Sequence, residues 1–168
     1  YIMEHDNPKD VVRFAQRSFD HVKKIREMAM KKTLGVGVIG CGNISAAYLK
    51  LAPLFKGIEV RAVADVNMDA AHARATEFGV KAQTVKELLK NDDVQIVINL
   101  TVPAAHFKVS KQSLEAGKHV YSEKPLTLSL AEAKELQRIA RKSKLQVAAA
   151  PDTFLGGSHQ QARKAIDD

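Results

Sequence analysis

Short apolar runs alternate along this chain with segments whose apolar residues recur at helical spacing. The apolar runs do not alternate in polarity and are bounded by glycine or charged residues, which is typical of strands buried on both faces. They predict strands at residues 34–39, 59–65, 94–100, 118–122 and 145–150. The segments between them predict helices at residues 44–55, 69–78, 84–91, 104–116 and about 129–144.

An alternation of strands and helices predicts a parallel sheet with helices on both faces, the doubly wound α/β fold of Rossmann-like domains. Such sheets bind ligands at the carboxyl ends of their strands. Candidate functional residues are therefore expected directly after the predicted strands.

Local signals support several helix ends. Gly79 stands where a C-cap is expected. Thr84 with Glu87, and Ser129 with Glu132, have the spacing of a capping box.

The stretch GVIGCGNIS places Gly40, Gly42 and Ser45 at the three positions of a G-x-G-x-x-G pattern, between the first strand and a helix. Glycine at the first two positions permits the turn and lets a pyrophosphate approach the main chain, and a small third residue lets helix and strand pack closely. The N–H groups of the first helical turn, at Asn43 and Ile44, would face the phosphates. The alternative is a tight turn that uses glycine for geometry alone.

Asp65 ends the second predicted strand, where an acidic residue accepts hydrogen bonds from the adenosine ribose. A carboxylate there repels a 2'-phosphate, and the following VNMD brings no arginine. The cofactor is therefore predicted to be NAD rather than NADP. The alternative interpretation of Asp65 is a plain helix cap.

A net charge of +7 raises the question of a polyanionic partner. The basic residues are scattered among acidic ones without interleaved aromatic residues, so we expect solvated helix faces and no nucleic acid. The apolar runs are too short to span a bilayer, and the single cysteine, Cys41, fits a reducing compartment. The composition favours a cytoplasmic protein without a membrane or metal partner.

The segment EAGKHVYSEKPL, with GVIGCGNIS, Asp65 and TVPAAHF, resembles the family of glucose-fructose oxidoreductases, inositol dehydrogenases and MocA proteins (Gfo/Idh/MocA) over residues 33–168. This resemblance implies an NAD(P)-dependent oxidoreductase. It places Lys124 beside the nicotinamide and the substrate hydroxyl, as the catalytic residue. Glu123 would hold the strand end or bond the cofactor, and Pro125 would fix the loop.

Thr101 and Pro103 look like the family's turn against the adenosine and pyrophosphate half of the cofactor. His106 follows three residues after Pro103, in the first turn of a helix. A surface or cap histidine explains it as well as a functional role does, so it is left out of the catalytic set. Asp152 and His159 follow the last strand, and polar residues at a helix N-terminus are the favoured interpretation of both.

The resemblance also predicts domain organisation. Residues 33–151 would form the dinucleotide-binding domain, and residues 152–168 would begin the connection to an α+β substrate domain that the chain lacks. The fragment alone is then expected to be inactive, and the full-length protein to be a homo-oligomer.

Residues 1–32 lie outside this pattern and are expected to form an N-terminal helix or linker. Residues 1–27 resemble the end of a xylose isomerase-like barrel of sugar phosphate isomerases and epimerases, in which Glu4 would be a metal ligand. A bare amphipathic helix is the alternative.

Two functions follow from the sequence. The first is the cofactor domain of an oxidoreductase that interconverts a secondary alcohol and a ketone on a sugar or cyclitol. The second is a dinucleotide-binding sensor or regulatory module without catalysis, which would have no need of the amine of Lys124.

Overall fold

The computed structural model describes residues 33–150 and 156–167. From Leu34 onward, these residues belong to one unit of the chain. The predictions made for residues 1–32, with Glu4 and the barrel resemblance, and for Asp152 fall outside the described residues.

Six strands of the described residues form one parallel sheet in the spatial order β3-β2-β1-β4-β5-β6. Strand order reverses at β1, which lies between β2 and β4, so this sheet has the doubly wound topology predicted from the alternating pattern. The strands are β1 (Leu34–Ile39), β2 (Ile58–Ala64), β3 (Lys81–Gln83), β4 (Ile96–Asn99), β5 (His119–Ser122) and β6 (Val147–Ala149).

The α-helices connect these strands and follow the last one. They are α1 (Asn43–Leu51), α2 (Met68–Phe78), α3 (Val85–Lys90), α4 (Pro103–Glu115), α5 (Leu130–Ser143) and α6 (Gly157–Asp167).

Besides shifts of one or two residues at strand ends, two details differ from the sequence prediction. The edge strand β3 was missed, because two of its three residues, Lys81 and Gln83, are polar and it lacks the apolar run used as the signal. The helix predicted at 44–55 ends as an α-helix at Leu51 and continues as a 3-10 helix, Ala52–Leu54. Pro53 lies in that segment and cannot donate the hydrogen bond that would continue the α-helix.

The predicted helix ends are largely confirmed. Gly79 is the left-handed C-cap of α2, with a φ of 67°. Thr84 and Glu87 form the full reciprocal capping box of α3. At α5 only half of the box forms: Ser129 accepts from the N–H of Glu132, whereas the Glu132 carboxylate accepts from the N–H of Leu128.

Apolar side chains cover both faces of the sheet. Val36, Val38 and Val63 pack with Leu49 of α1 and Ala75 of α2 on one face. On the other face, strand residues pack with Leu88 of α3 and, nearer β5, Leu114 of α4 packs with Leu136 of α5. With both faces closed by helices, the carboxyl edge of the sheet is left for a ligand.

Candidate functional site at the carboxyl edge of the sheet

The ends of four neighbouring strands lie at one level. In the register of the sheet, Ile39 pairs with Ala64 on one side and with Asn99 on the other, and Asn99 pairs with Ser122. The residues that follow these strand ends therefore form a row across the edge, in the order Asp65, Gly40, Thr101, Glu123. The row spans three strand spacings, about 14 Å.

Gly40 is required by the fold itself. Its φ is +105°, a conformation that favours glycine. A Cβ on Gly40 would lie 2.5 Å from the carbonyl carbon of Leu100 and 2.8 Å from the nitrogen of Thr101. Backbone cannot move aside as a flexible side chain can, so the turn after β1 and the turn after β4 touch only because Gly40 has no side chain.

Gly42 is a different case. Its φ of −72° is open to any residue, and a Cβ there would meet no heavy atom of the protein within 4 Å. The described fold therefore gives no internal reason for glycine at this position. A reason does exist if a ligand approaches the main chain closely from the open side, as a pyrophosphate does in a dinucleotide site.

The first turn of α1 adjoins this open space. Its N-cap is Gly42, which has no side chain to satisfy the N–H groups at the helix start, and Asn43 and Ile44 are exposed. Ser45 is fully buried, and its hydroxyl donates to the Gly42 carbonyl at 2.5 Å. The small third residue of the pattern thus lets α1 pack closely and also fixes the turn.

Asp65 faces the glycine loop. Its Oδ2 accepts from the N–H of Cys41 at 2.7 Å, and its Oδ1 accepts from the N–H of Asn67 at 2.9 Å. The N-cap of α2 is Asn67, whose side chain accepts from the N–H of Asp69, so Asp65 is not the plain helix cap that the alternative interpretation required. Each carboxylate oxygen has a second lone pair, which leaves Asp65 able to accept from a ribose hydroxyl.

Cys41 lies in the glycine loop, is buried, and has an unreactive thiol. Burial, and to a lesser extent the charge of Asp65, raise the pKa of its thiol to about 11 against the opposing effect of Arg74. The Sγ donates to the carbonyl of Ala64 at 3.5 Å. Because the thiolate is the reactive form, Cys41 is not a nucleophile at neutral pH.

A cavity of about 260 Å³ opens beside the loop. Its walls are mainly apolar, with Asp65 as the charged residue. Val66 and Val102 stand at its rim and are 96% and 67% exposed, which is unusual for valine in a folded domain. The cavity is lined by Ile39, Gly40, Gly42, Asp65, Val66, Val85, Leu100, Thr101, Val102, Ala105 and Val109. A flat apolar ring with a neighbouring hydroxyl-bearing sugar, as in adenosine, suits this combination.

The turn after β4 is organised by Asn99, which is buried. Its Oδ1 accepts from the N–H of Thr101 at 3.2 Å and from the hydroxyl of Thr101 at 2.7 Å. Its Nδ2 donates to the carbonyl of His106 and to Ser110, both at 3.0 Å. Pro103 is the first residue of α4, where its fixed φ suits a helix start.

His106 corrects the sequence interpretation. It is only 1% exposed, so it is not a surface histidine. Its Nε2 lies 2.8 Å from the carbonyl of Thr101, and its Nδ1 lies 2.6 Å from the carbonyl of Pro125. His106 therefore joins the turn after β4 to the turn after β5. His159, by contrast, is exposed in the first turn of α6, in agreement with the favoured interpretation.

The turn after β5 carries the Glu-Lys-Pro motif. Glu123 is half-buried, and its Oε1 accepts from the hydroxyl of Tyr48 at 2.9 Å. Lys124 and Pro125 are exposed, and the peptide bond between them is cis. The motif stands at the opposite end of the row from Asp65.

Three residues of this site were missed from the sequence, namely Tyr48, Arg74 and Asn99, and a fourth, His106, was considered and left out. Arg74 of α2 reaches back to the loop, where its Nε donates to Ser45 at 3.1 Å while the guanidinium also pairs with Glu77. Helical periodicity predicts which face such residues occupy, but it does not predict their partners across the sheet. The position of Asn99 at a strand end was the one available signal.

None of the helices in residues 33–150 and 156–167 combines the length and apolar character needed to cross a membrane. Within the same residues, no group of three or more His, Cys, Asp or Glu side chains is placed to hold a metal ion.

This fold and this strand-end site define the dinucleotide-binding class of doubly wound α/β domains. Residues 34–150 match the model of the GFO_IDH_MocA oxidoreductase family with an NAD-binding Rossmann fold. The chain belongs to this family, as its motifs predicted.

Relatives and solved structures agree with this assignment. Inositol 2-dehydrogenase of Salmonella paratyphi B is 31% identical over 115 residues, which cover 66% of this chain and 34% of that protein. The 3-ketoreductase KijD10 of Actinomadura kijaniata, solved with NADP and TDP-benzene, has a TM-score of 0.76 at 30% identity and covers 81% of this chain and 42% of its own. GenD2 from gentamicin A biosynthesis, solved with NAD, has a TM-score of 0.77 at 28% identity, and the match covers 83% of this chain and 40% of GenD2.

The chain thus spans about a third of the length of the curated relative and about two fifths of the two solved structures. The matched region is the dinucleotide-binding domain. The solved neighbours carry NAD in one case and NADP in the other, so likeness alone does not choose between the cofactors.

Proposed function

We propose that this chain is the cofactor domain of an oxidoreductase which transfers hydride between NAD and a secondary alcohol or ketone of a sugar or cyclitol. The observation that carries the proposal is the row of strand-end residues. Asp65, the open face at Gly42, and Lys124 follow one another along the edge, in the order of adenosine ribose, pyrophosphate and nicotinamide in an extended dinucleotide. The inositol dehydrogenase among the relatives supports the substrate class.

The residues present fit the cofactor. The open space at Gly42 and the uncapped first turn of α1 would hold the pyrophosphate through main-chain N–H groups and the helix dipole. The apolar cavity would take the adenine between Val66 and Val102, and Thr101 and Pro103 would form its floor on the β4 side.

When bound, the nicotinamide supplies or accepts hydride. Lys124 is exposed at the end of the row where the nicotinamide would lie, and its amine can orient a substrate hydroxyl. In the oxidising direction, the unprotonated amine takes the hydroxyl proton as the carbon gives up hydride, which leaves the ketone and an ammonium. Glu123 keeps the turn in place through Tyr48, which is the first of the two roles that the sequence allowed.

The preference for NAD rests on Asp65. Its carboxylate would repel a 2'-phosphate, and Arg74, although close to the loop, is engaged with Glu77, Ser45 and the Gly42 carbonyl. We therefore expect NADH to bind about tenfold more tightly than NADPH, because two like charges about 4 Å apart repel by about 1–4 kcal/mol and about 1.4 kcal/mol is tenfold in affinity.

Fluorescence titration of the chain with NADH and NADPH tests this preference. Asp65→Asn removes the charge and should reduce the difference between the two cofactors. Asp69→Asn removes an exposed carboxylate four positions further along the chain and serves as the matched control, with an unchanged ratio. Equal or tighter binding of NADPH by the unaltered chain would remove the role given to Asp65.

A further inference from the structure

Lys124 is exposed, yet both of its chain neighbours are bonded to other elements. On the N-terminal side, the Tyr48 hydroxyl of α1 donates to Oε1 of Glu123 at 2.9 Å. The other oxygen of the same carboxylate, Oε2, accepts from the N–H of Lys124 itself at 2.9 Å. One carboxylate thus connects α1 to the main chain of Lys124.

On the C-terminal side, the connection is His106. Its Nδ1 lies 2.6 Å from the carbonyl oxygen of Pro125, and its Nε2 lies 2.8 Å from that of Thr101. Carbonyl oxygens only accept, so each contact needs an N–H on the nitrogen that faces it. An imidazole ring supplies one N–H when neutral and two when protonated. The ring links the turn after β5 to α4 when it is protonated, or when it is neutral with its N–H on Nδ1.

His106 is itself held in place. It is buried, and its main-chain carbonyl accepts from Nδ2 of Asn99 at 3.0 Å, which fixes the backbone that carries the ring. Asn99 also binds the turn after β5, because its main-chain carbonyl accepts from the N–H of Glu123 at 2.8 Å. The turn at Thr101 has its own contacts with Asn99, and so it does not depend on His106 alone.

We infer that Tyr48 and His106 are positioning residues, which hold the main chain of Lys124 from its two sides through Glu123 and Pro125. The inference rests on the proposed function, in which Lys124 meets the nicotinamide. A flexible lysine side chain on a loose turn would sample many positions, whereas a turn fixed to α1 and α4 limits where the amine can go. Since α1 also carries the glycine loop, Tyr48 ties the two halves of the proposed cofactor site together.

Amide hydrogen exchange at Lys124, measured by NMR on the chain without cofactor, tests the positioning directly. Tyr48→Phe and His106→Leu should each speed this exchange about fivefold or more, since each variant loses a hydrogen bond. His119→Gln is the matched control. The His119 ring accepts from the N–H of Gln146 at the other end of β5, so its loss should leave the exchange of Lys124 unchanged. Unchanged exchange in both test variants would overturn the inference.

A double-mutant cycle identifies the route from Tyr48. If Tyr48 acts through Glu123, then Tyr48→Phe combined with Glu123→Ala should speed exchange no more than Glu123→Ala alone. Additive effects would mean that Tyr48 does not act through this carboxylate.

A second measurement separates positioning from packing. His106→Leu should lower the fluorescence of bound NADH, which reports the nicotinamide, while the Kd of ADP-ribose stays within about threefold because Asn99 still holds the Thr101 turn. His106→Gln keeps one donor and should restore part of the fluorescence. If His106→Leu and His106→Gln gave the same fluorescence of bound NADH, then His106 would act through packing alone, which would contradict the inference.

The two proposals fail in different ways. If the unaltered chain does not bind NADH, then the proposed function fails, while the exchange of the Lys124 amide still decides whether Tyr48 and His106 position it.

Discussion

At the scale of single residues, Gly40 and Gly42 show that one residue type serves two purposes within three positions. Gly40 has a positive φ and a backbone neighbour in the space of its missing Cβ, so the fold requires it. Gly42 has an ordinary φ and open space, so only a ligand would require it. The sequence pattern treats the two as equivalent, and the structure separates them.

Alanine at the two positions should therefore affect different properties, stability at Gly40 and NADH affinity at Gly42. Gly40→Ala should lower the free energy of unfolding by about 2–4 kcal/mol, because it adds backbone strain and a steric clash. Gly42→Ala should change it by less than about 1 kcal/mol, and yet weaken NADH binding about tenfold or more. Urea unfolding and NADH titration on both variants measure the two quantities, each variant serving as the control for the other. Normal NADH binding by Gly42→Ala would mean that no pyrophosphate approaches this face.

At the scale of elements, the starts of the five helices α1 to α5 divide into two groups. The N-caps of α2, α3 and α5 are Asn67, Thr84 and Ser129, and the side chain of each accepts a main-chain hydrogen bond. The N-caps of α1 and α4 are Gly42 and Val102, which offer no polar side chain. The second group borders the proposed cofactor site. These two helix starts lack a side-chain cap, and a bound ligand could accept hydrogen bonds from their main-chain N–H groups instead.

The capping box of α3 gives a test at this scale. Thr84→Ala should lower the free energy of unfolding by about 1 kcal/mol. Thr76→Ala, at an exposed position inside α2, is the matched control and should be neutral or slightly stabilising because alanine favours helices.

The same box predicts a pH dependence. Hydrogen bonds from the main chain and then the side chain of Thr84 lower the pKa of Glu87 below its usual range. A lowered pKa stabilises the fold above the unfolded-state value, and this contribution is lost as the pH falls through the folded-state value. Urea unfolding across the acid range should therefore show the gap between Thr84→Ala and the unaltered chain narrowing as the pH falls. A constant gap would contradict the role of the carboxylate.

At the scale of the whole molecule, Lys124 is the residue that distinguishes an enzyme from a sensor. The chain covers only part of the length of its relatives, so turnover is a property to test in the full-length protein. There, with myo-inositol as the trial substrate for the proposed activity, Lys124→Ala should leave NADH binding nearly intact and slow NAD-dependent oxidation about 10²–10⁴-fold, because it removes the proposed proton acceptor.

Lys142→Ala removes an exposed lysine from the last turn of α5, where the chain leads into the start of β6 and not at the carboxyl edge of the sheet, and should leave the rate unchanged. NADH formation followed by absorbance measures both. An unaltered rate for Lys124→Ala would contradict the assigned chemistry and favour the dinucleotide sensor.

The sequence by itself determined the fold class and the family, because both depend on patterns that are local along the chain. Apolar runs predict buried strands, G-x-G before a helix predicts the loop, and the Glu-Lys-Pro motif after β5 specifies the family. The residues proposed for the cofactor, from Gly40 to Pro125, all lie at the end of a predicted strand or within five residues after it. The edge strand β3 was not predicted, because it is a strand by its pairing with β2 and has no apolar run of its own.

Only the tertiary structure decided which side chains meet across the edge of the sheet. Tyr48 bonds Glu123, Arg74 bonds Ser45, and the buried His106 contacts two turns. Helical or strand periodicity in the sequence does not predict these pairs. Such contacts depend on the register of parallel strands and on the packing of helices over them. The pattern of one chain therefore predicts where a site lies, and the folded neighbours determine how its residues are held.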